Sequence, residues 1–378
     1  MSDQDAVRQG MREIDFVLYS SWRLGKHILA GWSHSGSQVS FAFSEPYNVL
    51  GRAEEYPRLI RGRRLMGAHT FAETCKVLRT RPLTMEVPFS IGQGRADVNP
   101  GVIENLVKRY AVTETANRAV MLFDIVSFSK HTPLEQVAQL SSLEYSINSA
   151  SKRLNESGLR VELARSTVGD GFYVWNRAKG LDADLRTYLA LLLILADNAL
   201  ARRKGDPRLV PTLRAAFTVG PHFSYHQVEG VNPRGFEYIV GDVTITLARI
   251  IAKALAGQVL VGQFNRGNDT LVNQSEVDTI MFLARADKIL QPLLGREIGG
   301  YRISNIRASV TSATEIRNGV TVYRILDKHG YAHQTFNARI IFDREDTDAI
   351  QLGLSTAELG EFGAEPALYD IRLLNTAR

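Results

Sequence analysis

The sequence has little that would place it among secreted or membrane-spanning proteins. Its 378 residues include one cysteine, Cys75, so no disulfide can form within the chain, which is typical of a reducing compartment. The first residues, MSDQDAVRQG, contain no apolar run like that of a secretory signal peptide. The most apolar stretch, residues 188–205, is interrupted by Asp197 and Asn198, and it predicts a buried helix too short to span a bilayer. We therefore expect a cytoplasmic protein without a membrane partner.

Neither sign of charge dominates the composition. Lys and Arg number 45 and Asp and Glu 40, which gives a formal net charge of +5. Basic clusters occur at residues 58–64 and 201–208, and such clusters can form a nucleic-acid-binding face. Short runs of this kind are more often solvated surface or phosphate-binding loops, and we favour that interpretation. We therefore do not expect nucleic acid as a partner, whereas anionic small substrates fit the charge.

The pattern of apolar residues changes near residue 100. Residues 1–100 show short apolar pieces between Gly- and Arg-rich breaks, without a sustained helical period. From residue 102 the sequence predicts a helix over residues 102–110 and a buried strand over 118–128. From that strand on, the predicted order is strand, helix, hairpin, helix, strand, helix, strand, with the last helix stopping at Gly257. Because the hairpin makes two strands antiparallel, this order indicates an α/β layer fold with a mixed sheet and not a doubly wound parallel one.

Two of the helices have clear boundaries. Thr132 and Glu135 have the spacing of a capping box, and Pro133 takes the first helical position that proline favours. This helix is expected to continue to a break at Gly158. A second long helix is predicted over residues 182–203.

Two aspartates stand out because each follows or joins a predicted strand. Asp124 ends the apolar strand in MLFDIVSFSKH (121–131), and Asp170 lies in the tight turn Gly169-Asp170-Gly171 of the hairpin. A buried carboxylate is costly unless something pairs with it, and two neighbouring carboxylates repel each other unless cations lie between them. Alone, each has an ordinary explanation as a cap or turn residue. Together they predict a site for Mg²⁺ or Mn²⁺ of the kind used in nucleotide chemistry.

The residues after Asp124 suggest where phosphates would bind. Ser127, Phe128 and Ser129 lead into the capped helix, and backbone N–H groups at such a position can hold phosphate oxygens. We therefore take Phe128 and Ser129 as candidate substrate-binding residues. The alternative is that Ser129 and Thr132 only cap the helix, and both interpretations can hold together.

Four motifs resemble those of class III nucleotidyl cyclases. FDIVSFS resembles the family pattern F-x-D-I-x-G-F-T, and TVGDGFYVW resembles the Gly-Asp hairpin. LRAAFTVGP resembles R-I-G-I-H-x-G-P, and GDVTITLARIIAKALAGQVLV resembles G-x-x-V-N-x-A-A-R-L followed by A-x-x-G-Q-I-L-V. The motifs occur in the family's order and cover roughly residues 115–265, which makes the resemblance specific.

The resemblance implies a cyclase-type mixed, mostly antiparallel sheet with helices packed on it, plus N-terminal and C-terminal α+β extensions. It also implies a head-to-tail homodimer with shared sites, where Asp124, the Ile125 carbonyl and Asp170 bind two divalent cations, Mn²⁺ or Mg²⁺. Arg249, which matches the family's arginine, would reach the partner's site and stabilise the transition state. Without the motif, Arg249 would be interpreted as a helix-surface ion pair.

The positions that read a purine base in the family are changed. The lysine found four residues before the second aspartate is Ser166 here, and the acidic or polar residue three before the glycine is Tyr238. The asparagine four residues before Arg249 is Ile245, and Thr246 is the candidate to replace it. Since the metal and arginine positions match, we interpret the changes as altered base choice, with Ser166 and Tyr238 forming a pocket for a smaller ring.

The C-terminal segment adds to this interpretation. Residues 322–340 predict two strands around an Asp-Lys-His-Gly turn, and they resemble a sensor segment behind cyclases of bacterial antiphage systems. His329 and His333 lie four residues apart without a completing ligand pattern, so we interpret them as structural or ligand-sensing. Together with the base positions, this segment resembles the pyrimidine cyclases of Pycsar defence systems, which activate a separate effector through cyclic UMP or cyclic CMP.

The resulting prediction is a cyclase that converts UTP, or next CTP, to a 3′,5′-cyclic nucleotide and pyrophosphate in phage defence. The alternatives are an adenylate or guanylate cyclase that reads its base with other residues, and a non-catalytic cyclase-like sensor or scaffold. We predict an N-terminal extension over residues 1–100, a catalytic domain over 101–270 and a sensor-like domain over 271–378.

Overall fold

The computed structural model describes residues 3–94, 97–227, 236–267, 276–312 and 319–370. The chain divides into two units. The first unit comprises residues 1–115 together with 223–240, and the second comprises residues 116–222 together with 241–378.

The first unit contains a helix that the sequence pattern did not reveal. Its elements are α1 (Asp3–Trp22), β1 (Ile28–Ser35), β2 (Gln38–Ser44), α2 (Pro46–Leu50), α3 (Ala68–Val77), β3 (Leu83–Glu86) and α4 (Pro100–Val107). The three strands form an antiparallel sheet in the order β1, β2, β3. Helix α1 buries only a narrow stripe at Gly10, Ile14 and Leu18, one residue every four. Met11, Tyr19 and Trp22 pack, partly buried, beside this stripe, so helical spacing is present in the sequence. The exposed apolar Phe16 between them obscures it.

A buried ionic group lies inside the first unit. Arg64 has no exposed surface and donates hydrogen bonds to the carbonyl oxygens of Leu59 and Arg61. Burial lowers its pKa to about 10. Glu104 accepts hydrogen bonds from the Arg64 amide and from Trp32 Nε1, both at 2.6 Å. The interpretation of residues 58–64 as solvated surface is therefore wrong for Arg64, because its guanidinium is buried and donates hydrogen bonds to backbone carbonyl oxygens.

The second unit is built around a large sheet. Its elements begin with β4 (Thr113–Ile125), α5 (Pro133–Glu156), β5 (Leu163–Thr167), β6 (Gly171–Asn176), α6 (Leu181–Lys204), β7 (Leu213–Gln227), β8 (Phe236–Val240), α7 (Asp242–Ile251) and β9 (Val259–Gly262). They continue with β10 (Asn265–Arg266), β11 (Val277–Asp278), α8 (Thr279–Lys288), β12 (Glu297–Ile298), β13 (Tyr301–Val310), β14 (Gly319–Leu326), β15 (Ala332–Arg344), β16 (Thr347–Leu352) and β17 (Glu365–Asp370). Strand β8 and the end of β7 fall in the stretch that belongs to the first unit.

The topology confirms the predicted fold class. The main path of the sheet runs β12, β13, β15, β9, β7, β4, β6, β5, with β14, β16 and β8 attached beside it and β17 paired to β14. Strands β7 and β9 are parallel, whereas the hairpin β5–β6 and the pairs β4–β6 and β9–β15 are antiparallel. The protein therefore has a mixed, mostly antiparallel sheet in an α/β arrangement. The predicted element order from β4 to β9 is confirmed except for strand β8, which lies between β7 and α7 and was not predicted.

The predicted helix boundaries are confirmed at α5 and α6 but not at α7. Helix α5 starts with the capping box of Thr132 and Glu135, and α6 extends one residue beyond each predicted end. Helix α7 ends at Ile251 and not at Gly257. The chain then makes tight turns, in which the Leu255 amide donates to Gln258 Oε1 at 2.8 Å. These turns provide hydrogen-bond partners for backbone groups after α7, so a further helical turn is not needed.

Helix α6 forms the centre of the second unit's core. It is buried around most of its circumference, as expected for residues 188–205. Tyr188 contacts Phe217 and Phe282 edge-on, with ring centroids 5.2 and 6.3 Å apart. None of the helices in the described part of the chain has the length and apolar composition needed to cross a bilayer.

The capping box of α5 gives the first prediction. Thr132→Ala removes the hydroxyl that accepts the Glu135 amide, so we expect a loss of about 1 kcal/mol in the free energy of unfolding, measured by urea denaturation. Ser141→Ala, at an exposed position of the same helix, is the matched control and should leave stability unchanged or slightly higher. Equal losses in both variants would contradict the role of the cap.

Candidate active site

Strands β4 and β6 bring the two predicted aspartates together. Asp124 pairs with Gly171 in the antiparallel register, and the Ile125 amide donates to the Asp170 carbonyl oxygen at 2.9 Å. The strands approach so closely that a Cβ on Gly171 would lie 1.8 Å from the Phe123 carbonyl oxygen. Glycine at position 171 is therefore required by the backbone contact, independently of any chemistry at Asp170.

The turn itself fixes where Asp170 stands. Gly169 has a φ of +86°, a conformation that L side chains rarely adopt. The Val168 amide donates to the Gly171 carbonyl oxygen at 3.1 Å and closes the turn around Asp170. Asp170 is half-buried at the tip of the hairpin, beside the end of β4. This is the relation between the two aspartates that the sequence predicted.

The surroundings of Asp124 disfavour the charged form of its carboxyl group. The residue is 7% exposed, and burial raises the pKa of its carboxyl group above the ordinary value. The neighbouring Asp170 carboxylate raises this pKa as well, while the Arg214 guanidinium acts in the opposite direction. Burial and a like charge thus outweigh the ion pair, and either a proton or a cation would relieve the repulsion between the two carboxyl groups.

Arg214 is a neighbour of the candidate site that the sequence does not reveal. Its Nε and Nη2 nitrogens lie 2.6 and 2.5 Å from Asp124 Oδ2, and Nη1 donates to the Ala254 carbonyl oxygen at 3.0 Å. An arginine near the start of the apolar strand β7 was the available signal. Interpreting it required knowing that β7 lies beside β4 in the sheet. Arg214 therefore connects the end of β4 to the turns after α7.

The two aspartates suit a divalent cation. Asp124 Oδ1 is buried and accepts no hydrogen bond from a donor group of the described residues, because Arg214 engages only Oδ2. The neighbouring group is the Asp170 carboxyl, which can share a hydrogen bond with Asp124 only when one of the two is protonated. In the same described part of the chain, no three His, Cys, Asp or Glu side chains form a ready-made metal cluster. A pair of carboxylates is what Mg²⁺ uses when substrate phosphates supply other ligands. Asp124, Asp170 and the carbonyl of Ile125, the last residue of β4, fit such a site.

The predicted phosphate-binding segment forms a tight turn. Residues 128–130 make one turn of 3₁₀ helix, preceded by Ser127 in the left-handed region at a φ of +58°. Phe128 packs against the core, whereas Ser129 is exposed. Gln136 holds the turn by donating to the Phe128 carbonyl oxygen at 3.2 Å. The turn follows Asp124 directly and ends where α5 begins.

The predicted base-reading residues occupy separate elements. Ser166 is half-buried on β5 and pairs with Tyr173 of β6. Tyr238 is on β8 in the first unit, where it pairs with Tyr225 and is 38% exposed. Thr246 is half-buried on α7. Within the second unit, the structure thus places Ser166 on the strand that ends in the Asp170 hairpin.

Arg249 lies in the last turn of α7 and faces the C-terminal strands. Its Nε is 3.5 Å from Asp327 Oδ2, and its side chain is 32% exposed. The first turn of the same helix is fixed to β6, since the Tyr173 hydroxyl donates to the Thr244 carbonyl oxygen at 3.0 Å. Arg249 therefore has the ion pair expected of a helix-surface arginine, and its helix is anchored beside the Asp170 hairpin.

Comparisons with known proteins give structural likeness alone. No protein-family model and no curated protein matches the sequence. The guanylate cyclase domain of RhGC from Catenaria anguillulae, solved with GTP, is 15% identical, covers 60% of this chain and 97% of its own, and has a TM-score of 0.35. The adenylyl cyclase CyaB from P. aeruginosa is 13% identical, covers 63% of this chain and 99% of its own, and has a TM-score of 0.33.

A dimeric guanylyl cyclase domain of the RhoGC fusion protein from Blastocladiella emersonii is 14% identical, with a TM-score of 0.35 over 62% of this chain and 98% of its own. These similar structures are guanylyl and adenylyl cyclase domains. Their low sequence identities and TM-scores do not establish an activity for this chain.

The close strand contact gives the second prediction. Gly171→Ala would push its Cβ against the Phe123 carbonyl oxygen, so the hairpin must move away from β4. We expect a loss of about 1–3 kcal/mol in the free energy of unfolding, which urea denaturation measures. Gly363→Ala is the control, because a Cβ there meets nothing within 4 Å. A Gly171→Ala protein as stable as this control would contradict the contact.

Proposed function

We propose that this protein is a nucleotidyl cyclase whose site is formed by Asp124, Ile125 and Asp170. The single observation that supports it best is the contact of two acidic side chains, in which the buried Asp124 Oδ1 has no donor group among the described residues and the Asp170 carboxyl as its neighbour. A turn or cap role for Asp124 does not account for this arrangement, since it brings together two groups that repel. Binding two Mg²⁺ or Mn²⁺ ions with a nucleoside triphosphate does account for it.

The proposed reaction is an in-line displacement within one nucleotide. The ribose 3′-oxygen loses its proton and bonds to the α-phosphorus, while the bond from that phosphorus to the bridging oxygen of the β-phosphate breaks and pyrophosphate leaves. The metal ions, when bound, would favour loss of the 3′-hydroxyl proton and offset the charge of the triphosphate. Asp124, Asp170 and the Ile125 carbonyl would hold these ions, and the turn at Phe128 and Ser129 would bind phosphate oxygens through its backbone N–H groups.

Arg249 is proposed to act on the partner's nucleotide in a head-to-tail homodimer. Its guanidinium would stabilise the charge that develops on the phosphates in the transition state. Exposed apolar side chains on α5 support a partner surface. Leu134, Val137 and Tyr145 lie on one side of this helix and are 78%, 60% and 69% exposed.

We propose a pyrimidine substrate, UTP first and CTP second, on the basis of Ser166 and Tyr238. Both residues occupy positions where the cyclase pattern reads a purine, and neither has the charge that would do so. Thr246 is proposed to replace the missing asparagine at position 245. By the same resemblance, residues 101–270 form the catalytic domain and residues 271–378 a sensor-like domain, and the cyclic nucleotide is a messenger in antiphage defence that activates a separate effector.

The third prediction is the product. Incubation with each of the four ribonucleoside triphosphates and Mn²⁺, followed by mass spectrometry and chromatography, should give 3′,5′-cyclic UMP as the main product. Asp170→Asn removes a carboxylate from the proposed metal site. Since such ions supply several kcal/mol of transition-state stabilisation, the rate should fall at least about 100-fold. Asp182→Asn, whose side chain is 86% exposed on α6, is the matched control and should keep the wild-type rate.

Each other outcome decides among the alternatives. A cyclic purine as the main product would show an adenylate or guanylate cyclase. No cyclic product from any nucleotide, with Asp170→Asn and wild type alike, would favour the non-catalytic scaffold.

The fourth prediction concerns the base. Ser166→Lys introduces the residue that the purine cyclase pattern has at this position, so we expect the ratio of cyclic purine to cyclic pyrimidine to rise about tenfold, the effect of a preference changed by about 1.4 kcal/mol. Thr167→Lys is the control because neighbouring residues of a strand point to opposite faces. If both variants keep the wild-type product ratio, Ser166 does not select the base.

A further inference from the structure

One carboxylate at the start of the turn between β14 and β15 meets four groups. Asp327 Oδ1 accepts the backbone N–H groups of His329 and Tyr331 at 2.8 and 3.0 Å. Asp327 Oδ2 lies 3.4 Å from His333 Nε2 and 3.5 Å from Arg249 Nε. The side chain is 6% exposed. The two oxygens therefore do different things, since one builds the turn and the other faces side chains that can carry positive charge.

The turn does not need the second oxygen. An aspartate or asparagine that accepts two nearby amides is an ordinary turn residue, and a single oxygen is enough for it. Burial acts to raise the pKa of Asp327, but the two amides and His333 act more strongly, so that its pKa lies below the ordinary value. A charged Oδ2 is thus maintained next to Arg249, at a place where the turn alone gives no reason for a charge.

Arg249 meets this carboxylate with only one part of its guanidinium. Its Nε is buried and has no hydrogen bond among the described residues, and Asp327 is the acidic group that faces it. Guanidinium groups bind phosphates best through a pair of nitrogens in a fixed fork. The Asp327 carboxylate attracts the Nε edge of the guanidinium across 3.5 Å as an ion pair without a hydrogen bond. Among the described residues no hydrogen bond or other ion pair engages the two Nη nitrogens, which leaves them for another anion.

We propose that Asp327 is the positioning residue of Arg249, so that the hairpin of β14 and β15 takes part in phosphate-charge stabilisation. This rests on the proposed cyclase function and extends it to the C-terminal strands. The proposal differs from the interpretation of residues 322–340 as a sensor alone. It also includes His333, because His333 Nε2 contacts the same oxygen, Asp327 Oδ2. Because Arg249 would act in the partner's site, the C-terminal hairpin of one chain would orient the arginine used by the other.

The test uses Asp327→Asn in the full-length protein. Asparagine keeps an oxygen for the amides of His329 and Tyr331 but removes the charge that faces Arg249. We expect kcat for the cyclisation to fall on the order of 10- to 100-fold, the effect of a misplaced catalytic group, with KM for the nucleotide within about twofold of wild type. Lys328→Ala, in the same turn with an exposed side chain, is the matched control and should leave both constants unchanged.

A double-mutant cycle separates positioning from a structural effect. If Asp327 acts through Arg249, Asp327→Asn should cause no further loss of kcat in an Arg249→Ala background. Losses that multiply in the double variant, an unchanged kcat in Asp327→Asn, or a higher kcat would each overturn the proposal. The last result would mean that Asp327 holds Arg249 away from the substrate.

A spectroscopic measurement keeps the proposal independent of turnover. In protein labelled with ¹⁵N-arginine, the Nε–H signal that disappears in Arg249→Lys belongs to Arg249. It should shift and exchange faster with water in Asp327→Asn but not in Lys328→Ala. An unchanged signal would contradict the contact. If wild type forms no cyclic nucleotide, the cyclase proposal fails by itself, and this spectrum still decides whether Asp327 orients Arg249.

Discussion

The second unit depends on how the negative charge at the end of β4 is compensated. Asp124 is buried, and its pKa is raised by burial and by Asp170, so the carboxylate needs a positive partner in order to stay ionised. Arg214 supplies that partner from the neighbouring strand β7, but it engages one oxygen only. The other oxygen, Oδ1, has no donor group among the described residues. The proposed cation site rests on this oxygen together with the neighbouring Asp170 carboxyl.

Sequence alone could predict the local features of this site. The capping box at Thr132 and the turn at Asp170 depend on residues within a few positions of each other, and the structure has both. Likewise, the alternation of strands and helices from β4 to β9 follows from apolar patterns. What the sequence could not provide was the neighbour across the sheet, because Arg214 and Asp124 are far apart in the chain and meet only through strand order.

The errors have equally physical causes. Helix α1 was missed because the exposed Phe16 obscures the spacing of the residues that it packs on the core. Helix α7 was predicted too long because turns after Ile251 replace helical hydrogen bonds. Arg64 was interpreted as surface because basic runs usually are. Its burial depends on carbonyl groups that a sequence does not display. In each case a tertiary contact overrode the local preference.

The burial of α6 has a consequence for how the chain is made. This helix contacts not only α5 but also partners from much later in the sequence: Phe282 meets Tyr188, and Arg203 donates to the Ala349 carbonyl oxygen. At about 5–20 residues per second, the ribosome needs on the order of ten seconds after α6 to deliver β16. During that interval the side of α6 that later contacts these residues is exposed to solvent. The C-terminal strands are therefore the completing step of folding during synthesis, and chaperone binding to the nascent chain would be concentrated at α6.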